Sequence, residues 1–126
     1  MTRLMRLSMA ILALMLLSCE TEAPQIVHVT ALDNTTSTIG PYEVVAVILD
    51  AGQVNRAELI WRVRGGEWTP VPMRRLDRDS WVQSIPGQPV GTTIEYEVAA
   101  LDNDSEIARF PPEAQVLSFE VVAPLP

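Results

Sequence analysis

Side chains able to do chemistry are few in this chain: one cysteine, Cys19, one histidine, His28, and three tryptophans, Trp61, Trp68 and Trp81. His28 lies in Val27-His28-Val29-Thr30, where alternation turns it outward from a strand, and no second histidine or cysteine stands ready to complete a metal site. No serine occupies the Gly-x-Ser-x-Gly setting of a nucleophile elbow. The sixteen carboxylates fall mostly at solvent-side positions of strand-like runs. The expectation is a protein that is not an enzyme and that uses no cofactor.

Two binding chemistries stay open. Flat exposed aromatic rings stack on sugar faces, and Trp68, between Glu67 and Thr69 and just after Gly65-Gly66, is the candidate platform for carbohydrate or peptidoglycan. Trp61 falls on the inward side of its run, and Trp81 opens an apolar run with Val82 and Ile85, so both are expected to pack. The competing expectation for Trp68 is a ring capping a sheet edge that Pro70 and Pro72 protect from further pairing. The second chemistry is calcium on the oxygens of Asp50, Asp102 and Asp104, with Asp102-Asn103-Asp104 supplying alternating donors. Arg74, Arg75 and Arg78 repel a cation at that end. The alternative there is a rim of surface ion pairs with Asp77, Asp79 and Glu106, each contributing about 0–1 kcal/mol.

The elements that position these residues are strands. From Gln25 onward, period-two alternation is broken by Gly, Pro, Asn and Asp at intervals of about eight to twelve residues, the pattern of a sandwich or barrel. In residues 56–64, Ala57, Leu59, Trp61 and Val63 oppose Glu58, Ile60, Arg62 and Arg64. In residues 92–101, Ile94, Tyr96, Val98 and Ala100 oppose Glu95 and Glu97. Residues 42–50 are apolar on both faces, which predicts a central, covered strand with Val44, Ala46 and Ile48 in the core. With residues 25–31, 67–73, 81–85 and 116–122, the expected total is seven strands. Arg64-Gly65-Gly66-Glu67 reads as a tight hairpin, Pro111 and Pro112 as a stop before the last strand, and residues 74–79 as a place for a short helical turn. The Thr35-Thr36-Ser37-Thr38 run reads as a flexible loop at the opposite end.

Ahead of this body stand Arg3, Arg6 and an apolar run from 7 to 17, too short for a membrane-spanning helix of about 20 residues but suited to a secretory signal. It ends in Leu16-Leu17-Ser18-Cys19, which resembles the lipobox of bacterial lipoproteins. The resemblance implies cleavage between Ser18 and Cys19 and a diacylglycerol on the Cys19 thiol, with or without an N-acyl group. It also accounts for a single thiol in an exported protein. Glu20, rather than Asp, follows the cysteine; by the same resemblance this implies the outer membrane, with the domain on either its periplasmic or its exterior face. Without Arg3 and Arg6, seven arginines face sixteen carboxylates, a formal charge of −9. Such a surface repels nucleic acid and anionic headgroups, so membrane contact is expected through acyl chains alone.

The run Gly91-Thr92-Thr93-Ile94-Glu95-Tyr96-Glu97-Val98-Ala99-Ala100-Leu101-Asp102, together with an inward Trp on the third strand, resembles the immunoglobulin-like and fibronectin type III superfamily. This implies an all-β, seven-stranded antiparallel sandwich, with Tyr96 at a tyrosine corner whose hydroxyl bonds to nearby backbone. The expected organisation is a cleaved signal peptide (1–18), a lipidated cysteine and short tether (19–24), an Ig-like sandwich (25–122) and a tail (123–126). The functional expectation is a non-catalytic, lipid-anchored envelope module for binding or structural support, with a protein or glycan partner and no nucleic acid.

Overall fold

The computed structural model describes residues 23–49, 54–103 and 105–126; the signal and lipidation residues, with Asp50 and Asp104, lie outside them. The described chain is all-β: β1 (Gln25–Val29), β2 (Tyr42–Leu49), β3 (Val54–Val63), β4 (Thr69–Pro72), β5 (Arg74–Arg75), β6 (Ser80–Ile85), β7 (Thr93–Asp102), β8 (Ile107–Phe110) and β9 (Leu117–Glu120). They form two antiparallel sheets, β1-β2-β6-β5 and β4-β3-β7-β8, with β9 also on β7. The alternate residues predicted to face inward meet between them: Val44, Ala46, Ile48 and Ile85 from one sheet, Ala57, Leu59, Ile94, Tyr96, Val98 and Ala100 from the other. The result is a β-sandwich-like arrangement with one core.

Nine strands form among the described residues, not seven, because two segments outside the expected strands, the start of 74–79 and the residues ahead of Pro111, are also paired. Beyond the run 67–73 the chain changes sheets. Met73, 6 % exposed, donates its N–H to Ala57 O at 2.8 Å on the β3 side, and the next two residues pair instead with Trp81 and Val82 of β6. The residues expected to form a helical turn therefore begin with a strand, followed by a tight turn in which the Asp77 carboxylate accepts the N–H groups of Asp79 and Ser80 at 3.1 and 3.0 Å. Those two backbone bonds hold the Asp77 carboxyl below its ordinary value of 3.8. A depressed carboxyl contributes its stabilisation above the unfolded-state value and loses it as pH falls through the folded one. Faster amide exchange at Asp79 and Ser80 is therefore expected below about pH 3.8 relative to neighbouring turns, and Asp77→Asn should show it at neutral pH.

The second additional strand lies ahead of the last one. β8 pairs with residues 98–101 of β7 and β9 with residues 93–96, so the edge is interrupted opposite Glu97 by an excursion of residues 111–116. Pro111 and Pro112 stop the pairing, as expected, but a paired segment precedes them that the sequence had assigned to a loop.

Tyr96 is fully buried, yet its hydroxyl does not bond to nearby backbone as the resemblance implied. It donates to Thr30 O at 2.7 Å and accepts from Leu32 N at 2.8 Å, pinning the segment that leaves β1. That segment crosses to the other sheet, where Thr35 pairs in parallel with Val121. The Thr35 loop is correspondingly tied down: Tyr42 donates its hydroxyl to Ser37 O at 2.6 Å and accepts Gln88 N–H at 3.1 Å, clamping two loops together. The outer face of β2, with half-buried Val45 and Val47 and exposed Leu49, has no further layer over it among the described residues, contrary to the expected cover. Its β-branched residues suit a pleated strand whether or not that side is buried.

Candidate functional site

The outer face of the five-stranded sheet carries the most built-up surface chemistry. Cross-strand register sets it in rows: Arg62 of β3 opposite Glu95 of β7, Ile60 opposite Glu97, Glu58 opposite Ala99 and Arg56 opposite Leu101. In the first row Glu95, though on the side expected to face solvent, is only 8 % exposed. Arg62 Nε donates to one of its oxygens at 2.9 Å, and Arg64 Nε lies 3.6 Å from the other. The Arg62 guanidinium also lies over the Trp68 ring, 4.3 Å from its centre. Glu95 thus fixes Arg62, and Arg62 fixes Trp68, through a cation–π contact of about 0.5–1 kcal/mol.

Trp68, 38 % exposed, keeps an open part of its ring. It precedes edge strand β4, as the edge-capping expectation required. Because Met73 N–H faces β3, alternation turns the nitrogens of Pro70 and Pro72 to the open edge, where they offer no donor to another strand. The hairpin before Trp68 closes with Gly66 N–H on Val63 O at 2.7 Å and Gly65 at φ 86°, a turn one residue earlier than the expected Arg64-to-Glu67 turn. Counting register back from Trp61 opposite Thr69 sets Arg62 across from Trp68.

Beside the ring lies a surface cleft of about 400 Å³, walled by Trp68, Glu97, Arg109, Pro111, Glu113, Ala114 and Val116. Arg109 Nη1 donates to Glu97 Oε1 at 2.9 Å across its floor. The far wall is the excursion in the β8–β9 edge. There Glu113 and Ala114 both take left-handed backbone, φ 59° and 60°, with Gln115 N–H on Pro112 O at 3.3 Å. That is the mirror-image turn favoured by Asn-Gly, and each L-residue with a Cβ costs about 1–2 kcal/mol there. The double substitution Glu113→Asn, Ala114→Gly is expected to stabilise the protein by about 1 kcal/mol, raising Tm by roughly 4–8 °C in a calorimetric scan. A second hollow of about 190 Å³ adjoins the cleft, floored by Ala99, Ile60 and Leu101 and rimmed by Arg56, Glu58 and Arg109.

The other sequence candidates lie elsewhere. Asp102, 4 % exposed, accepts Glu106 N–H at 2.9 Å and closes the β7–β8 turn. It pairs with Val54, whose carbonyl accepts Arg75 Nη2 at 3.1 Å, so these loops share one end as expected. Among the described residues no group of three His, Cys, Asp or Glu side chains is placed to hold a metal ion. Trp81 is buried under the Arg75 guanidinium, 4.6 Å from its ring centre, and Trp61 is partly buried against the core. Arg62, Glu95, Arg109 and Glu113 were not singled out from sequence; hairpin register was the available signal for Arg62.

No protein-family model matches the chain. No curated protein matches it either. Among solved structures it is similar to the cycloalternan-degrading enzyme from Trueperella pyogenes, at 16 % identity and a TM-score of 0.44, over 64 % of this chain. The chain spans about 10 % of that enzyme's length. Among the described residues no helix is long and apolar enough to cross a membrane.

Proposed function

We propose that this protein is a non-catalytic, lipid-anchored module of the cell envelope that binds its partner at the Trp68 cleft. The observation that carries the reading is the braced ring: a half-open tryptophan held by Arg62 and buried Glu95 beside a cleft of about 400 Å³. Braced aromatics lose little freedom on binding, which favours a ligand site over a loose surface residue. The sandwich is read as immunoglobulin-like. Support comes from the β1-β2-β6-β5 and β4-β3-β7-β8 order and from the parallel bridge between Thr35, on the segment that leaves β1, and Val121.

Anchoring at Cys19 fits the position of the cleft. β1 starts at the end where β2 gives way to β3, and only residues 20–24 lie between it and the cysteine, a tether of less than about 20 Å. β3 then runs from Val54 to the opposite end, carrying Arg62 and Trp68 about 27 Å from the anchored end. Membrane attachment through acyl chains on Cys19, at about 0.8 kcal/mol per buried methylene, leaves that end facing outward, in this reading from the outer membrane. The anchor has a direct test. Cys19→Ser should release the protein to the soluble fraction and remove the diacylglycerol mass from its N-terminal peptide. A wild-type protein that is soluble with residues 1–18 attached contradicts the reading.

A further inference from the structure

The cleft is one half of a longer trough. The outward residues of β7 are Glu95, Glu97, Ala99 and Leu101, a row about 20 Å long. Trp68 stands across Arg62 from the first of these and shares the cleft with the second, and the second hollow opens at the last two. Arg109 lines both depressions and is paired with Ala99 across the β7–β8 ladder while its guanidinium reaches Glu97. The short side chain of Ala99 makes the floor of the hollow; Glu58 and Arg109 are its shoulders.

We infer that this trough takes a neutral oligosaccharide laid flat along β7, with one sugar stacked on Trp68 and a later one over Ala99, an inference that rests on the Trp68 cleft being the functional site. A neutral sugar matches both kinds of wall. Its C–H face meets Trp68, Pro111 and Val116, while its hydroxyls donate to the carboxylates of Glu97 and Glu113 and accept from Arg109. Charged ligands fit less well. Arg109 is already paired with Glu97, Glu113 adds a negative charge, and the chain is acidic overall, so anions are repelled. The positive charge of Arg62 on one face of Trp68, and of Arg109 in the cleft, opposes a ligand cation on the ring's open face. An added peptide strand has poor purchase, because the excursion at residues 111–116 interrupts one edge of this sheet and Pro70 and Pro72 deny donors at the other. An open trough running along one strand suits equatorially linked chains, which are extended.

The test uses full-length protein in detergent and β-1,4-linked N-acetylglucosamine and glucose oligomers of increasing length, followed by calorimetry and tryptophan fluorescence. Affinity is expected to rise by about tenfold or more from the dimer to the tetramer and then level off. Trp68→Ala should lower it by about tenfold or more at every length, with Trp68→Phe retaining part of the binding and both variants melting as cooperatively as wild type. Ala99→Arg, which fills the hollow, should abolish the gain in affinity from dimer to tetramer. Equal affinity for dimer and tetramer, or an Ala99→Arg variant that binds like wild type, overturns the extended site and leaves the Trp68 cleft standing. Silence toward every oligomer overturns the saccharide. If a Trp68-dependent partner is still captured in intact envelopes, the cleft reading survives that loss; if none is, both fall.

Discussion

Tyr96→Ala is expected to leave the protein largely unfolded near room temperature. The ring is fully buried and packs edge-on against Phe119, 6.1 Å between centres, so truncation opens a cavity between the sheets costing about 3–5 kcal/mol. The lost hydroxyl also strands Leu32 N–H and Thr30 O at the crossing between sheets, adding about 1–3 kcal/mol. The sum approaches the roughly 5–15 kcal/mol that holds an average domain folded. Tyr96→Phe isolates the second contribution and should lower the urea midpoint with an unchanged slope. Burial, partly offset by the Leu32 N–H bond, pushes the Tyr96 phenol above its ordinary 10.0. A raised phenol value contributes stability below the unfolded-state value, and that stability is lost as pH rises through the folded one. Wild-type stability should therefore decline above about pH 10, and Tyr96→Phe should flatten that decline.

Gly87→Ala should be nearly as damaging, though it adds a single methyl at a half-exposed loop. A Cβ at Gly87 would stand 2.4 Å from both Thr38 O and Ile39 O, and these are backbone atoms that cannot swing aside. The partner loop is itself constrained: Gly40 has φ 58°, and a Cβ there would lie 2.9 Å from the Gly87 backbone. The two loops would have to separate, pulling the Tyr42 hydroxyl off Gln88 N–H or Ser37 O. Overpacking of this kind costs about 3 kcal/mol, a loss of more than roughly 10 °C in Tm. Gly65→Ala is the internal comparison, since nothing lies within 4 Å of its added Cβ and only its φ of 86° opposes the change.

The inner half of the fold was legible because alternation reports burial directly. Val44, Ala46 and Ile48, and again Ile94, Tyr96, Val98 and Ala100, are buried as their spacing required. Strand breaks were harder to see. Nothing in Thr69-Pro70-Val71-Pro72-Met73-Arg74-Arg75 signals a change of sheet, because Met73 continues the apolar alternation while its neighbours take new partners. β8 was hidden by its surroundings, four residues between a polar turn and two prolines, and it pairs only because β7 offers an edge. The cleft was legible at one residue. Trp68 stood out by type, but its brace depends on Arg62 being directly across a hairpin whose turn fell one residue earlier than expected. Glu95 and Glu97 were correctly assigned to the outer face. Their coverage by arginines from neighbouring strands is tertiary information that alternation does not hold.

Site-directed photo-crosslinking in intact envelopes tests the cleft most directly. A benzophenone side chain at position 114, in the cleft wall, is compared with one at position 43, on the outer face of the other sheet. The expected result is a discrete adduct from 114, absent from 43 and lost when Trp68 is also changed to Ala. Equal labelling from both faces, or an adduct at 114 that persists without the Trp68 ring, contradicts the assignment of function to this cleft.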